Sequence, residues 1–249
     1  MKRRTWFSAT IVLALVCLGW LGGQLAPVWY LKASASPEFF AADVAKFATN
    51  DRDHPPPERP IVFVGSSSIR LWDTLQRDMA PLPVLNRGFG GAQLSSVLHF
   101  VDRVVIQYRP CAVVLYAGDN DIADLKSPED VVREFRAFVS RVQSALPDVR
   151  IYYVSMKPSR RLWTNWPKYR QANAQISEIC AHDPRLGYID VATALLASGQ
   201  PPPRDLYSFD EEHLSAKGYA IWTGIIRARL QKDLGGSVRH TDAHQQALR

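Results

Sequence analysis

The stretch Ile61-Val62-Phe63-Val64-Gly65-Ser66-Ser67-Ser68-Ile69-Arg70-Leu71-Trp72 decides how the rest of this 249-residue chain is read. Four apolar residues, each β-branched or aromatic, stop at a glycine. An apolar run bounded in this way predicts a buried parallel strand. Serine directly after it predicts a helix N-cap, because its hydroxyl can accept from an orphan N–H of the first turn. The same serines fall where an open α/β sheet binds its ligands, at the carboxyl end of a strand. The joint alone supports both a cap and a reactive hydroxyl.

Working outward, Leu82 to Asn86 is a second strand candidate leading into Asn86-Arg87-Gly88-Phe89-Gly90-Gly91. Glycines this dense mean that the backbone needs φ > 0 or must approach something closely. Leu94, Val97, Leu98, Val101 and Val105 form a helical stripe that ends before Pro110. Ala112 to Tyr116 is a third strand, followed by Gly118-Asp119-Asn120-Asp121. Ser127-Pro128-Glu129 starts a helix with a cap and an N1 proline, and Val131, Phe135, Phe138 and Val142 mark its buried face. Ile151 to Val154 and Gly187 to Val191 complete the strands, with Tyr169, Ala172, Ile176 and Ile179 marking the helix between them. A last helix is predicted from about Ser215 to Lys232, with Tyr219, Trp222, Ile225 and Ile226 at helical spacing. Strands alternating with helices imply a three-layer α/β/α fold, a doubly wound five-stranded parallel sheet covered on both faces.

The domain is expected over residues 61–233, with a polar, disordered tail at 234–249. Residues 36–60 read as a linker containing a short helix, since Phe39, Phe40, Val44 and Phe47 share a side and four prolines follow. Residues 1–35 read as a signal peptide or an N-terminal membrane anchor. Lys2-Arg3-Arg4 precedes an uncharged apolar run from Trp6 to Leu25, long enough to span a bilayer, and Ala33-Ser34-Ala35 resembles a cleavage site. Either form places the domain outside the cytoplasm, at the periplasmic face of the inner membrane, in the periplasm or secreted.

The formal charge of +6 includes Lys2, Arg3, Arg4 and Lys32 in that segment, which leaves +2 elsewhere. No dense basic patch interleaved with aromatics suggests nucleic acid. Cys17 lies in the apolar segment, while Cys111 and Cys180 sit in apolar patterns and read as buried thiols. No Cys/His spacing suggests a metal, and no cofactor is called for. Gly-Lys-Ser/Thr and Gly-x-Ser-x-Gly are both absent, which argues against a P-loop and an α/β-hydrolase elbow.

Three polar or glycine-rich segments now follow strand ends, and Asp210-Glu211-Glu212-His213 precedes the last helix. That set suits acyl transfer. A serine hydroxyl needs a base to take its proton, an imidazole does so near neutral pH, and a carboxylate fixes the imidazole tautomer. Asp210 and His213 are spaced so that a turn can put the carboxylate on Nδ1. Glycine N–H groups and an asparagine amide can hold an oxyanion, each worth about 2.7–4 kcal/mol.

With these residues the chain resembles the SGNH (GDSL-type) esterase and lipase family over about residues 60–232. Gly65-Ser66-Ser67-Ser68 is similar to the family's Gly-Asp-Ser block, which implies Ser67 as nucleophile. Gly91 in the glycine segment and Asn120 in Gly118-Asp119-Asn120-Asp121 are then implied as oxyanion donors beside the Ser67 N–H. Asp210-x-x-His213 implies His213 as base and Asp210 as its partner. The family's Asp is Ser66 here, so Ser66 and Ser68 remain rival nucleophiles at this stage. The resemblance implies hydrolysis of a small-molecule, lipid or glycan ester. A transferase passing an acetyl group to an envelope glycan, and a non-catalytic binding module, are the alternatives. Lys157 and Arg160, after the fourth strand, are candidates for meeting an anionic substrate, and Trp163 and Trp166 for a sugar platform.

Overall fold

The computed structural model describes residues 36–246. The expected signal or anchor at 1–35 lies outside the described residues. Among the described residues no helix is long and apolar enough to cross a membrane. Five strands form one sheet: β1 (Ile61–Gly65), β2 (Val84–Gly88), β3 (Ala112–Tyr116), β4 (Arg150–Val154) and β5 (Leu186–Ile189). All pair in parallel, in the order β2-β1-β3-β4-β5. The helices are α1 (Ala41–Asp53), α2 (Ser67–Arg70), α3 (Leu75–Met79), α4 (Leu94–His99), α5 (Val101–Val104) and α6 (Asp119–Ala123). They continue with α7 (Pro128–Ala145), α8 (Trp166–Ala181), α9 (Ala192–Leu196) and α10 (Ala216–Gln246).

Strand β1 is buried along its whole length, as its unbroken apolar run requires. Its side chains alternate between two cores. Val62 and Val64 join the apolar cluster that α1, α4, α5, α7 and α8 cover. Ile61 and Phe63 join the opposite one, closed by α2, α3 and α10 through Ile69, Trp72, Met79, Trp222 and Ile226. The three-layer architecture read from the sequence is therefore the one observed. The register aligns Gly65 with Gly88 of β2 and with Tyr116 of β3, so all three strands end at one level. The chain leaves β1 toward β2 on one side and later returns to β3 on the other. That is the switch point where doubly wound sheets open a crevice.

Of the boundaries that differ from the sequence expectation, three have a plain physical cause. Strand β2 lies two residues further on than Leu82–Asn86, because Ile61 N–H takes Pro83 O and the polar residues Asn86 and Arg87 pair along β1. The segment before residue 61 is more than a linker: Phe40 and Val44 are buried in the core, and Phe40 packs on Phe89 with ring centroids 5.3 Å apart. The last helix extends to Gln246 rather than ending near Lys232, so the expected disordered tail is helical over most of its length. Its last core residue is Leu234, and no proline after it breaks the ladder.

Candidate active site

Gly65 ends β1 at φ 141°, and a Cβ there would lie 1.8 Å from Tyr116 O. Only glycine fits so close to β3, and Ser66 N–H then donates to the same oxygen at 2.9 Å. The turn starts α2 at Ser67. Helical spacing sends Ser68 and Ile69 into the core and leaves Ser67 partly open, while Ser66 is fully buried. Of the three serines, Ser67 is the one with an accessible side.

The other half of the site comes from the loop before α10. Tyr207 and Leu214 form an isolated antiparallel bridge, and Ser208 N–H donates to His213 O at 2.7 Å. Inside that loop Glu211 adopts φ 58°, which folds the chain back so that Asp210 reaches the turn it precedes. Asp210 Oδ1 accepts the N–H groups of Glu212 and His213, each at 3.0 Å. Asp210 Oδ2 lies 2.6 Å from His213 Nδ1. With Nδ1–H donated to Asp210, Nε2 is left as an acceptor, and Ser67 Oγ lies 2.7 Å from it. Burial raises the Asp210 carboxyl, but the His213 ring and the two backbone N–H groups outweigh it and hold the carboxyl below its usual range.

The glycine segment resolves into two uses. Gly88 and Gly90 permit close approach: a Cβ at Gly88 would lie 2.4 Å from Arg70 N, and one at Gly90 would lie 2.8 Å from Arg70 Nε. Gly91 instead takes φ 80°, the left-handed turn into α4. Asn120 stands on α6, whose start is Gly118 at φ 115°. One Asn120 amide hydrogen goes to Ala92 O at 3.1 Å, and the amide carries a second. Ser67 is the first residue of α2, so its N–H has no intrahelical acceptor.

Residues whose roles the sequence left unread tie the Gly91 and Asn120 segments together. Asp121 is fully buried and accepts Leu94 N–H at 3.1 Å. Its carboxylate also meets Lys126 Nζ at 2.8 Å, an ammonium shared with Glu134. Burial pushes the Asp121 carboxyl up to about 7, with Lys126 opposing and Glu134 reinforcing the rise. Gln93 adds a bond to Asp124 at 2.6 Å. Asp121 was visible in the Gly118-Asp119-Asn120-Asp121 run, but its partner at Leu94 is a tertiary contact that spacing does not reveal.

Lys157 and Arg160 are not brought into the site as free cations. Lys157 is 3% exposed and sits 3.6 Å from Asp119 and 3.3 Å from Tyr116 Oη. Asp119 in turn accepts Tyr116 O–H at 2.7 Å and Asn120 N–H at 3.0 Å, so this buried group supports the backbone at Asn120. Arg160 pairs with Glu211 and donates to Pro202 O at 3.0 Å, bracing the His213 loop. Each of these cations thus has a carboxylate partner in the chain, Asp119 for Lys157 and Glu211 for Arg160. Trp163 and Trp166 stack on each other at 6.3 Å and cover the core beside α8.

A doubly wound sheet with a hydrogen-bonded Ser–His–Asp chain at its switch point fits the class of SGNH-type hydrolases. The family profile described as GDSL-like Lipase/Acylhydrolase matches residues 63–221, and the chain belongs to that family. Solved structures agree on the fold. A GDSL-like lipase from Bacteroides thetaiotaomicron superposes with TM-score 0.68 at 19% identity, over 78% of this chain and 99% of that one. A lipase/acylhydrolase from Enterococcus faecalis gives 0.59 at 18% identity, over 70% and 96%. A carbohydrate esterase family 3 protein from Talaromyces cellulolyticus gives 0.57 at 14% identity, over 71% and 99%. No curated protein matches the sequence at a significant level. Family membership makes this an ester-hydrolysing enzyme.

Proposed function

We propose that the protein is a serine esterase that hydrolyses carboxylic esters through Ser67, His213 and Asp210. One observation carries the reading: the unbroken chain from Asp210 Oδ2 through both His213 nitrogens to Ser67 Oγ, at 2.6 and 2.7 Å. His213 Nε2 takes the Ser67 proton as Oγ attacks the ester carbonyl, and Asp210 steadies the imidazolium. The oxyanion is held by the N–H groups of Ser67 and Gly91 and by the second amide hydrogen of Asn120. Protonated His213 then gives its proton to the departing alcohol. A water, deprotonated by the same nitrogen, attacks the acyl-enzyme and releases the carboxylic acid.

The test is fluorophosphonate labelling with peptide mapping, paired with turnover of 4-nitrophenyl acetate. Label maps to Ser67, and both Ser67→Ala and His213→Ala lower turnover by at least about 10⁴-fold. Label that survives in Ser67→Ala, or His213→Ala with wild-type turnover, would overturn the assignment.

A further inference from the structure

We propose that Arg70 is the anion-recognising residue of the cleft, and that the preferred ester carries a carboxylate or phosphate close to its scissile carbonyl. The inference rests on the Ser67 reading above and extends it to the substrate. In α2 only Ser67 and Arg70 reach the surface, while Ser68 and Ile69 between them are buried. Positions i and i+3 share a helix face, so the nucleophile and this guanidinium look the same way.

The Arg70 head lies beside Gly90 rather than on a carboxylate. A Cβ at Gly90 would lie 2.8 Å from its Nε, 3.1 Å from its Nη2 and 3.2 Å from its Cζ. The Nε–Nη2 edge of the guanidinium therefore lies against Gly90, the residue next to the Gly91 N–H assigned to the oxyanion. Gly88 makes the matching room for the Arg70 backbone. Lys157, Arg160 and Arg161 each pair with a carboxylate, whereas Arg70 forms no ion pair among the described residues. Asp73 and Arg70 both act on the Tyr219 hydroxyl, with no ion pair between them. Of these four cations, Arg70 is the one without a carboxylate partner among the described residues. A planar guanidinium fork matches carboxylate and phosphate oxygens in pairs.

The experiment uses the full chain and three esters: 4-nitrophenyl acetate, which is neutral; 4-nitrophenyl hemisuccinate, charged on the acyl side; and 4-acetoxybenzoate, charged on the leaving group. Wild type turns over one charged ester with higher kcat/KM than its neutral counterpart, and which one tells the side of the scissile bond that faces Arg70. Arg70→Gln raises KM for that ester by about tenfold or more, leaves 4-nitrophenyl acetate within about twofold, and Arg70→Lys restores part of the difference. Gly90→Ala, which displaces the guanidinium, moves KM in the same direction. Equal kcat/KM for charged and neutral esters in wild type, or equal effects of Arg70→Gln on all three, overturns the proposal. Fluorophosphonate labelling of Ser67 in Arg70→Gln separates the two readings. Retained label with no charge preference removes only the role of Arg70, and absent label in wild type removes the serine mechanism.

Discussion

Asp210 serves two partners with its two oxygens, and they can be separated by a single substitution. Oδ1 holds the turn by accepting two backbone N–H groups, and Oδ2 holds the His213 ring. Asparagine keeps one acceptor oxygen, so Asp210→Asn retains the turn while losing the charge that fixes the imidazole. Turnover is expected to fall about 10⁴-fold, with the circular dichroism spectrum unchanged. The sign of the pH effect follows from the lowered carboxyl. A depressed folded-state value contributes stability above the unfolded carboxylate value, and that contribution is lost as pH falls through the folded one. The melting temperatures of wild type and Asp210→Asn should therefore differ at pH 7 and converge in strong acid. A gap that widens on acidification would contradict the assignment. At this scale the sequence was informative wherever a residue acts within a local motif, as Asp210 and His213 do. It did not show the partners of Lys157 and Arg160, because Asp119 and Glu211 reach them only through the fold.

Among the elements, α7 shows how local code and tertiary packing divide the work. Ser127 Oγ accepts Asp130 N–H at 3.1 Å, and Asp130 Oδ2 accepts Ser127 N–H at 3.0 Å, the reciprocal capping box. The start of this helix was read directly from Ser127-Pro128-Glu129, because a cap is a contact between near neighbours in sequence. Ser127→Ala is expected to cost about 1 kcal/mol in urea denaturation, with no change in KM. The Asp130 carboxyl is pulled down to about 2, by the Ser127 N–H first and then Arg133. Its share of the cap is thus present at neutral pH and lost as pH falls toward 2, and because Ser127→Ala keeps the backbone N–H, Asp130→Ala is the variant whose cost should fall in strong acid. Strand β2 is the contrary case. Its last residues, Asn86, Arg87 and Gly88, look like a loop by composition. They extend as a strand because β1 pairs with them and because Arg87 finds a carboxylate partner on α1.

That partner bears on how much chain the molecule needs. Arg87 is 3% exposed on its side chain and ion-pairs with Asp51 of α1, while Tyr108 Oη donates to Asp51 at 2.6 Å. The guanidinium also lies 4.9 Å from the Phe47 ring and 4.6 Å from the Tyr108 ring. The family match begins at residue 63, after α1 has ended, yet α1 supplies the counter-charge for a buried arginine in β2. Arg87 immediately precedes Gly88-Phe89-Gly90-Gly91, so the same anchor steadies the segment that carries the Gly91 N–H and seats Arg70. Asp51→Ala leaves a buried guanidinium without its carboxylate, which is expected to cost about 3 kcal/mol. A chain beginning at residue 60 loses in addition Phe40 and Val44 from the core, and it should unfold at lower urea than Asp51→Ala. Replacing both partners by apolar residues, Asp51→Leu with Arg87→Met, should recover most of the single-variant loss, because no charge is then stranded. Equilibrium urea unfolding of the four chains provides the comparison. If the chain from residue 60 matches wild type in both midpoint and turnover, α1 is an appendage and the linker reading of residues 36–60 stands.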